Sequence, residues 1–246
     1  MSSLYFIGDD TSYISVPDNI GLNFENEDFT VEWYQYQIDD NPFPRIFQKG
    51  AYSEDNLSTG VSIEGGQFYY WANRSPNAAI SLQQIEYKNK WVHFAICRTS
   101  GVTNVYMNGV SVFNFNDTNN YMNDSALVVG NESVLSSDTS FGGYIYYFHF
   151  MKGVAKYTSD FTVPTSIPSV VSQTVLLLTA GSSLGSLGNT VTVTAGTFAI
   201  APVPPVKKPF RISMFMDNSR VYYKPNSLPS GGIGGVRNAR LKARRT

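Results

Sequence analysis

Asn104-Val-Tyr-Met-Asn-Gly-Val-Ser-Val-Phe113 contains two short runs of β-branched and aromatic residues separated by Asn108-Gly109. Asn-Gly accepts the two positive φ angles of a type I′ turn, so Val105–Met107 is expected to pair back on Val110–Val112. The same grammar extends outward. Phe29-Thr-Val-Glu-Trp-Tyr-Gln-Tyr36 alternates, with Phe29, Val31 and Trp33 on one face and Thr30, Glu32 and Tyr34 on the other. Trp91–Cys97 and Tyr144–Phe150 are dense in the residue types that fill pleated surfaces. Further strands are expected at Tyr5–Ile7, Tyr13–Val16, Gly60–Ile63, Phe68–Ala72, Leu127–Val129, Val175–Leu178 and Thr190–Thr194. Short strands at this spacing, divided by turn residues and without a long 3.6-residue period, predict an all-β, two-sheet antiparallel sandwich.

The 246 residues are 42% hydrophobic, enough for a real core, and include one cysteine (Cys97) and two histidines. That composition excludes an intrachain disulfide framework and disfavours a Cys/His zinc site. No secretory signal and no membrane-spanning segment is expected. The net charge of −1 conceals a division. Residues 1–205 hold 8 basic and 18 acidic side chains, a net of −10, whereas residues 206–246 hold 10 basic and one acidic, a net of +9. The sign changes at Ala201-Pro-Val-Pro-Pro-Val-Lys-Lys-Pro209, where proline favours a stiff connector and forbids a helix or central strand. Three segments follow: a sandwich body over 1–201, a Pro-rich linker over 202–209 and a basic, Gly-rich arm over 210–246. In the arm, Phe210–Met216 and Val221–Tyr223 are strand-like runs about the turn-forming Asp217-Asn-Ser. Its cations, with those just before it, are Lys207, Lys208, Arg211, Arg220, Lys224, Arg237, Arg240, Lys242, Arg244 and Arg245. A tail of this kind is expected to order against a partner.

Eight short motifs in a fixed order carry a family likeness. A small opening strand pair precedes Asp28-Phe-Thr-Val-Glu-Trp33, Lys90-Trp-Val-His-Phe-Ala95, Val105-Tyr-Met-Asn-Gly109 and Leu127-Val-Val-Gly130. Phe141-Gly-Gly-Tyr-Ile-Tyr146, Lys152-Gly-Val-Ala-Lys-Tyr-Thr158 and Phe161-Thr-Val-Pro164 complete it. The series resembles the laminin-G-like branch of the concanavalin A-like lectin/glucanase superfamily, which implies a jelly-roll sandwich whose functions range over sugar binding, hydrolysis and adhesion. Trp33 and Trp91 are expected to anchor the core between the sheets, and Gly142-Gly143 to permit a bend before Tyr144.

Chemistry is sparse. Retaining glycosidases of this fold use an alternating acidic triplet, because i and i+2 on a strand share a face. Glu25-Asn-Glu27 begins one, but Phe29 stands where the third carboxylate would be, so no enzyme is expected. His93 and Cys97 lie about 13 Å apart along one strand, too far to share a zinc ion, and read with His149 as structural members of strands. No cofactor is required; calcium would find hard oxygen ligands in loops such as Asn114–Asn120. Tyr69 and Trp71 are the candidate glycan-binding aromatics. The C-terminal string resembles the basic signature of virion-associated proteins from large algal and protist DNA viruses. That likeness implies a capsid-associated structural protein, made in the host cytoplasm and located in the virion. Its arm would dock onto other capsid or virion proteins. The alternatives are a lectin-like adhesion protein and, less favoured, a nucleic-acid-tethering arm or a glycoside hydrolase.

Overall fold

A computed structural model describes the backbone of residues 2–38, 41–50, 59–72, 75–82, 87–180, 183–184, 194–195, 199–202, 213–217 and 220–224. The chain divides into two units, Met1–Pro204 and Pro205–Thr246. The first is built from β1 (Ser2–Ile7), β2 (Ile14–Val16), β3 (Phe29–Gln37), β4 (Arg45–Lys49), β5 (Thr59–Glu64), β6 (Gln67–Ala72), β7 (Ser75–Ser81) and β8 (Trp91–Thr99). There follow β9 (Val102–Met107), β10 (Val110–Asn116), β11 (Leu127–Val129), β12 (Gly142–Lys152), β13 (Thr174–Thr179), β14 (Ser183–Leu184), β15 (Thr194–Ala195) and β16 (Ala199–Pro202). The second unit contributes an antiparallel pair, β17 (Ser213–Asp217) and β18 (Arg220–Lys224), in register Met214↔Tyr223. This pair corresponds to the two runs about Asp217-Asn-Ser.

Two antiparallel sheets form the sandwich. Sheet A runs β10-β9-β8-β3-β12-β1-β16, with β13 and β14 continuing beside β12; sheet B runs β15-β2-β11-β4-β5-β6-β7. The Asn-Gly hairpin forms as expected, with φ of 51° at Asn108 and 82° at Gly109 and with Met107 opposite Val110. A bulge after Ser111 then sets Phe113, not Val112, against Val105. Gly109 has a second reason to be glycine: a Cβ there would lie 2.1 Å from the Phe161 carbonyl oxygen. Likewise a Cβ on Gly143 would meet the Tyr36 carbonyl at 2.2 Å.

Phe29, Val31 and Trp33 turn inward, as their alternation requires, and are fully buried. Trp33 stacks on Phe94 of β8 at 5.3 Å and meets Phe47 of the opposite sheet edge-on at 6.1 Å. Its indole N–H donates to Gln35, whose amide donates to Gln37, so the polar atoms of this stretch are paired inside the core. Each such fully buried aromatic or large aliphatic contributes about 1.5–3 kcal/mol.

Trp91 departs from expectation. Val92, Phe94 and Ile96 take the inward positions of β8, so parity turns Trp91 outward, where it is half-exposed. It does not anchor the core between the sheets. Four strands of the first unit, β4, β7, β14 and β16, escaped the sequence reading. In β4, Arg45, Gln48 and Lys49 are buried polar residues that break the alternation, and a bulge falls between Arg45 and Phe47. β7 carries Pro76 at the edge of sheet B, the position a proline strand tolerates. β16 also ends in proline and occupies the edge beside β1. Of the strand expected at Thr190–Thr194, only Thr194 lies among the described residues, opening β15.

Candidate functional site

The outward face of sheet B carries the two aromatics singled out from sequence. On β6, Phe68 and Tyr70 point into the core and are buried, which leaves Gln67, Tyr69 and Trp71 facing out. Tyr69 and Trp71 are half-exposed, with ring centroids 5.5 Å apart and planes inclined by 29°. The Tyr69 hydroxyl donates to Gln67 Oε1 at 2.8 Å and the Trp71 indole N–H to Ser62 Oγ at 2.7 Å. Ser62 Oγ in turn donates to Glu64 Oε1 at 2.6 Å. Arg45 pairs with that same carboxylate oxygen, lies 3.9 Å from Glu132 Oε2 through its Nε and sets its guanidinium 5.6 Å from the Trp71 ring centroid. Burial pushes the Glu132 carboxyl up, with the Arg45 charge opposing. Three adjacent strands thus set two half-exposed aromatic rings over the buried Arg45 and Ser62, with the Glu64 carboxylate and the Gln67 amide at the margin.

The outward face of sheet A holds a second polar cluster, one that sequence reasoning passed over. Glu32 is fully buried because residues 153–161 fold back across it as a strap. His149 Nδ1 lies 2.8 Å from Glu32 Oε1 and Lys156 Nζ 2.6 Å from the same oxygen. The Tyr157 hydroxyl donates to Oε2 at 2.8 Å, and His93 Nε2 stands 3.5 Å from it. An ionised carboxylate only accepts, so His149 Nδ1 carries the proton and the Thr174 hydroxyl can donate to Nε2, 3.0 Å away. Burial by itself would raise the Glu32 carboxyl. The bond from His149, the nearby His93 ring and the Lys156 charge outweigh it and hold the group well below the usual carboxylate range. The strap is further pinned where Lys156 N donates to Thr30 Oγ1 (2.8 Å), Phe161 N to Gly109 O (2.8 Å) and Ser111 N to Asp160 Oδ1 (2.8 Å). With both oxygens occupied and no exposure, Glu32 fastens the strap. A signal for it was present: Lys156-Tyr157, within a motif noted only for its family likeness, supplies the cation and the phenol.

Other sequence candidates fall into place individually. Glu25 and Glu27 share Lys152, at 3.0 and 3.3 Å, and Phe29 after them is core. Cys97 is a free, buried thiol pushed up to about 11 by burial. In the Asn114–Asn120 loop, Asp117 is buried and each carboxylate oxygen already accepts two protein hydrogen bonds. Oδ2 takes those of Thr103 and Tyr121, at 2.6 and 2.8 Å, and Oδ1 those of Asn119 N and Nδ2, at 3.1 and 2.8 Å. Among the described residues no group of three or more His, Cys, Asp or Glu is placed to hold a metal ion, and no helix is long and apolar enough to cross a membrane. Of the basic residues, Arg220 and Lys224 lie on β18. Lys207, Lys208, Arg211, Arg237, Arg240, Lys242, Arg244 and Arg245 lie outside the described residues.

Sandwich topology and motif order define a class of lectin-like jelly rolls. A family model described as Laminin_G_3, concanavalin A-like lectin/glucanases superfamily, matches residues 8–155, more than half of the chain, and the protein belongs to that family. Among solved structures, a candidate carbohydrate-binding protein of Bacteroides ovatus is similar, with a TM-score of 0.61 at 15% identity over 82% of this chain. The chain spans 60% of that structure's length. The heptameric pentraxin of Limulus polyphemus matches with a TM-score of 0.46 at 15% identity, over 78% of this chain and 93% of its own. Domains LG4-5 of the mouse laminin α1 chain match with 0.48 at 14% identity, over 68% of this chain and 47% of theirs. No curated protein sequence matches the chain.

Proposed function

We propose that the protein is a non-enzymatic glycan-binding module whose site is the Tyr69–Trp71 strip on sheet B. The observation that carries this reading is the half-exposed aromatic pair bordered by Arg45, Ser62, Glu64 and Gln67. Sugar rings stack their C–H faces on aromatic surfaces, and the oxygens around the rim accept from sugar hydroxyls. The family, and the candidate carbohydrate-binding role given to the B. ovatus structure, support this reading. Absence of catalysis is part of the proposal: Glu25 and Glu27 are tied to Lys152, Glu64 and Glu132 to Arg45, and Glu32 is sealed. The test is a glycan array with the full chain. Saturable binding that Trp71→Ala reduces at least tenfold, with the melting temperature kept, is expected; no binding, or binding indifferent to Trp71 and Tyr69, overturns it.

A second reading addresses where such a module works. The reversal of charge at residue 206 and the tail's resemblance favour a virion-associated structural protein whose arm docks onto capsid neighbours. Sheet-edge addition by the strands of the arm would supply backbone pairing. Removal of residues 207–246 is expected to abolish incorporation into particles; normal incorporation defeats this reading. Binding of the arm to nucleic acid instead would show itself as affinity falling steeply between 50 and 200 mM salt.

A further inference from the structure

Register on sheet A places four aromatics in one row across four strands. Tyr5 of β1 is opposite Tyr144 of β12, Tyr144 opposite Tyr36 of β3, and Tyr36 opposite Trp91 of β8. Neighbouring ring centroids lie 4.8, 6.1 and 5.6 Å apart. Tyr146 reaches over β3 to 6.5 Å from Trp91, and Tyr34 closes the cluster at 5.8 Å from Trp91. All but Tyr36 are half-exposed. The row lies on the opposite outer face of the sandwich from Tyr69 and Trp71, at the end of sheet A that the 153–161 strap leaves open.

We infer that this row is a separate binding platform for an extended, uncharged polysaccharide chain, laid across the strands. Three observations select that occupant. The aromatics repeat once per strand, about every 4.8 Å, a step comparable to the advance of an extended pyranose chain per sugar, so a chain laid along the row meets the half-exposed rings of Tyr5, Tyr144 and Trp91 and passes over the buried Tyr36. The six residues bear no formal charge at neutral pH, and five bring phenolic hydroxyls that bond sugar hydroxyls without favouring an acidic glycan. The strip is also small. Three strand spacings by one or two i to i+2 steps amount to roughly 15 Å by 7–13 Å, on the order of 100–200 Å², against about 800 Å² per partner in a standard protein interface. A chain of three or four sugars fits that area; a folded partner or a second copy does not.

The experiment is affinity electrophoresis of the full-length protein through gels containing barley mixed-linkage β-glucan, konjac glucomannan or linear arabinan. Retardation in at least one gel is expected, reduced fivefold or more in Tyr144→Ala and Tyr5→Ala and retained in Tyr144→Phe. Because Tyr5 lies on a different strand from Tyr144 and is likewise half-exposed, its variant keeps the test informative if Tyr144→Ala lowers the melting temperature. No retardation in any of the three gels overturns the inference. So does retardation that only Trp71→Ala removes, which would assign it to the sheet B strip. A concentration-dependent dimer in sedimentation that Tyr144→Ala dissolves would make the row a self-association face and likewise overturn it.

Discussion

Glu32 and Glu64 occupy equivalent outward positions on opposite sheets, each beside a cation and each within reach of a hydroxyl, yet they do different work. Glu32 is roofed by the 153–161 strap, and His149, His93, Lys156 and Tyr157 converge on its two oxygens. Glu64 has no such roof; it shares Arg45 with Glu132 and keeps part of its surface in water. The lesson is that the covering segment decides whether a carboxylate becomes a fastener or part of a surface. Without water a charge must be paired completely; with water it remains available to a ligand.

The comparison can be broken by removing each carboxylate's cluster in turn. Glu32→Ala is expected to have the largest effect, about 3–5 kcal/mol of destabilisation, because it strands buried partners. For a body of this size that corresponds to a fall in melting temperature of roughly 6–20 °C. A calorimetric change under 1 kcal/mol would show that the strap holds without its anchor. Acid supplies a smaller and graded version. The Glu32 carboxyl is depressed in the folded state, so its contribution is fully present above the ordinary value of 4.5 and is lost as pH falls below it toward the folded value. The expected loss approaches about 1.4 kcal/mol per pH unit from this group, and Glu32→Gln should flatten that part of the stability–pH curve. His93, His149, Lys156 and Tyr157 all face the group, so the difference between wild type and variant is the quantity to measure. Glu132, whose carboxyl is raised by burial, works in the opposite direction and partly offsets the slope. Arg45→Ala is expected to cost least, about 1 kcal/mol, since solvent can rehydrate Glu64 and Glu132. Its cost should appear in glycan binding instead, and equal denaturation midpoints for Arg45→Ala and Glu32→Ala would erase the distinction.

How far this was legible in the sequence depends on whether the deciding force was local. The hairpin at Asn108-Gly109, the inward face of β3 and the sandwich class follow from turn chemistry and alternation. Tyr69 and Trp71 were recognisable as a pair because i and i+2 share a face. Glu32 was placed on the correct side of β3, but its burial was not legible there, since it comes from a strap more than 120 residues away. Trp91 was assigned by its size; its neighbours Val92, Phe94 and Ile96, which claim the inward positions, were the better guide. The row Tyr5–Tyr144–Tyr36–Trp91 could not be assembled at all without the register of three separate strand pairings.

The irregularity in β12 has a consequence of its own. Ile145 pairs with Gln35 and Tyr147 with Tyr34, so Tyr146 is one residue more than β3 can match. Upstream of it the odd positions face the interior; downstream the even ones do, which is how Ile145, Phe148 and Phe150 all reach the core. The strand is effectively two rulers spliced out of phase. Excising that single tyrosine would merge the two rulers into one unbroken alternation, with Ile145, Phe148 and Phe150 still inward, and would remove only the outward ring and the local bend that the extra residue supplies.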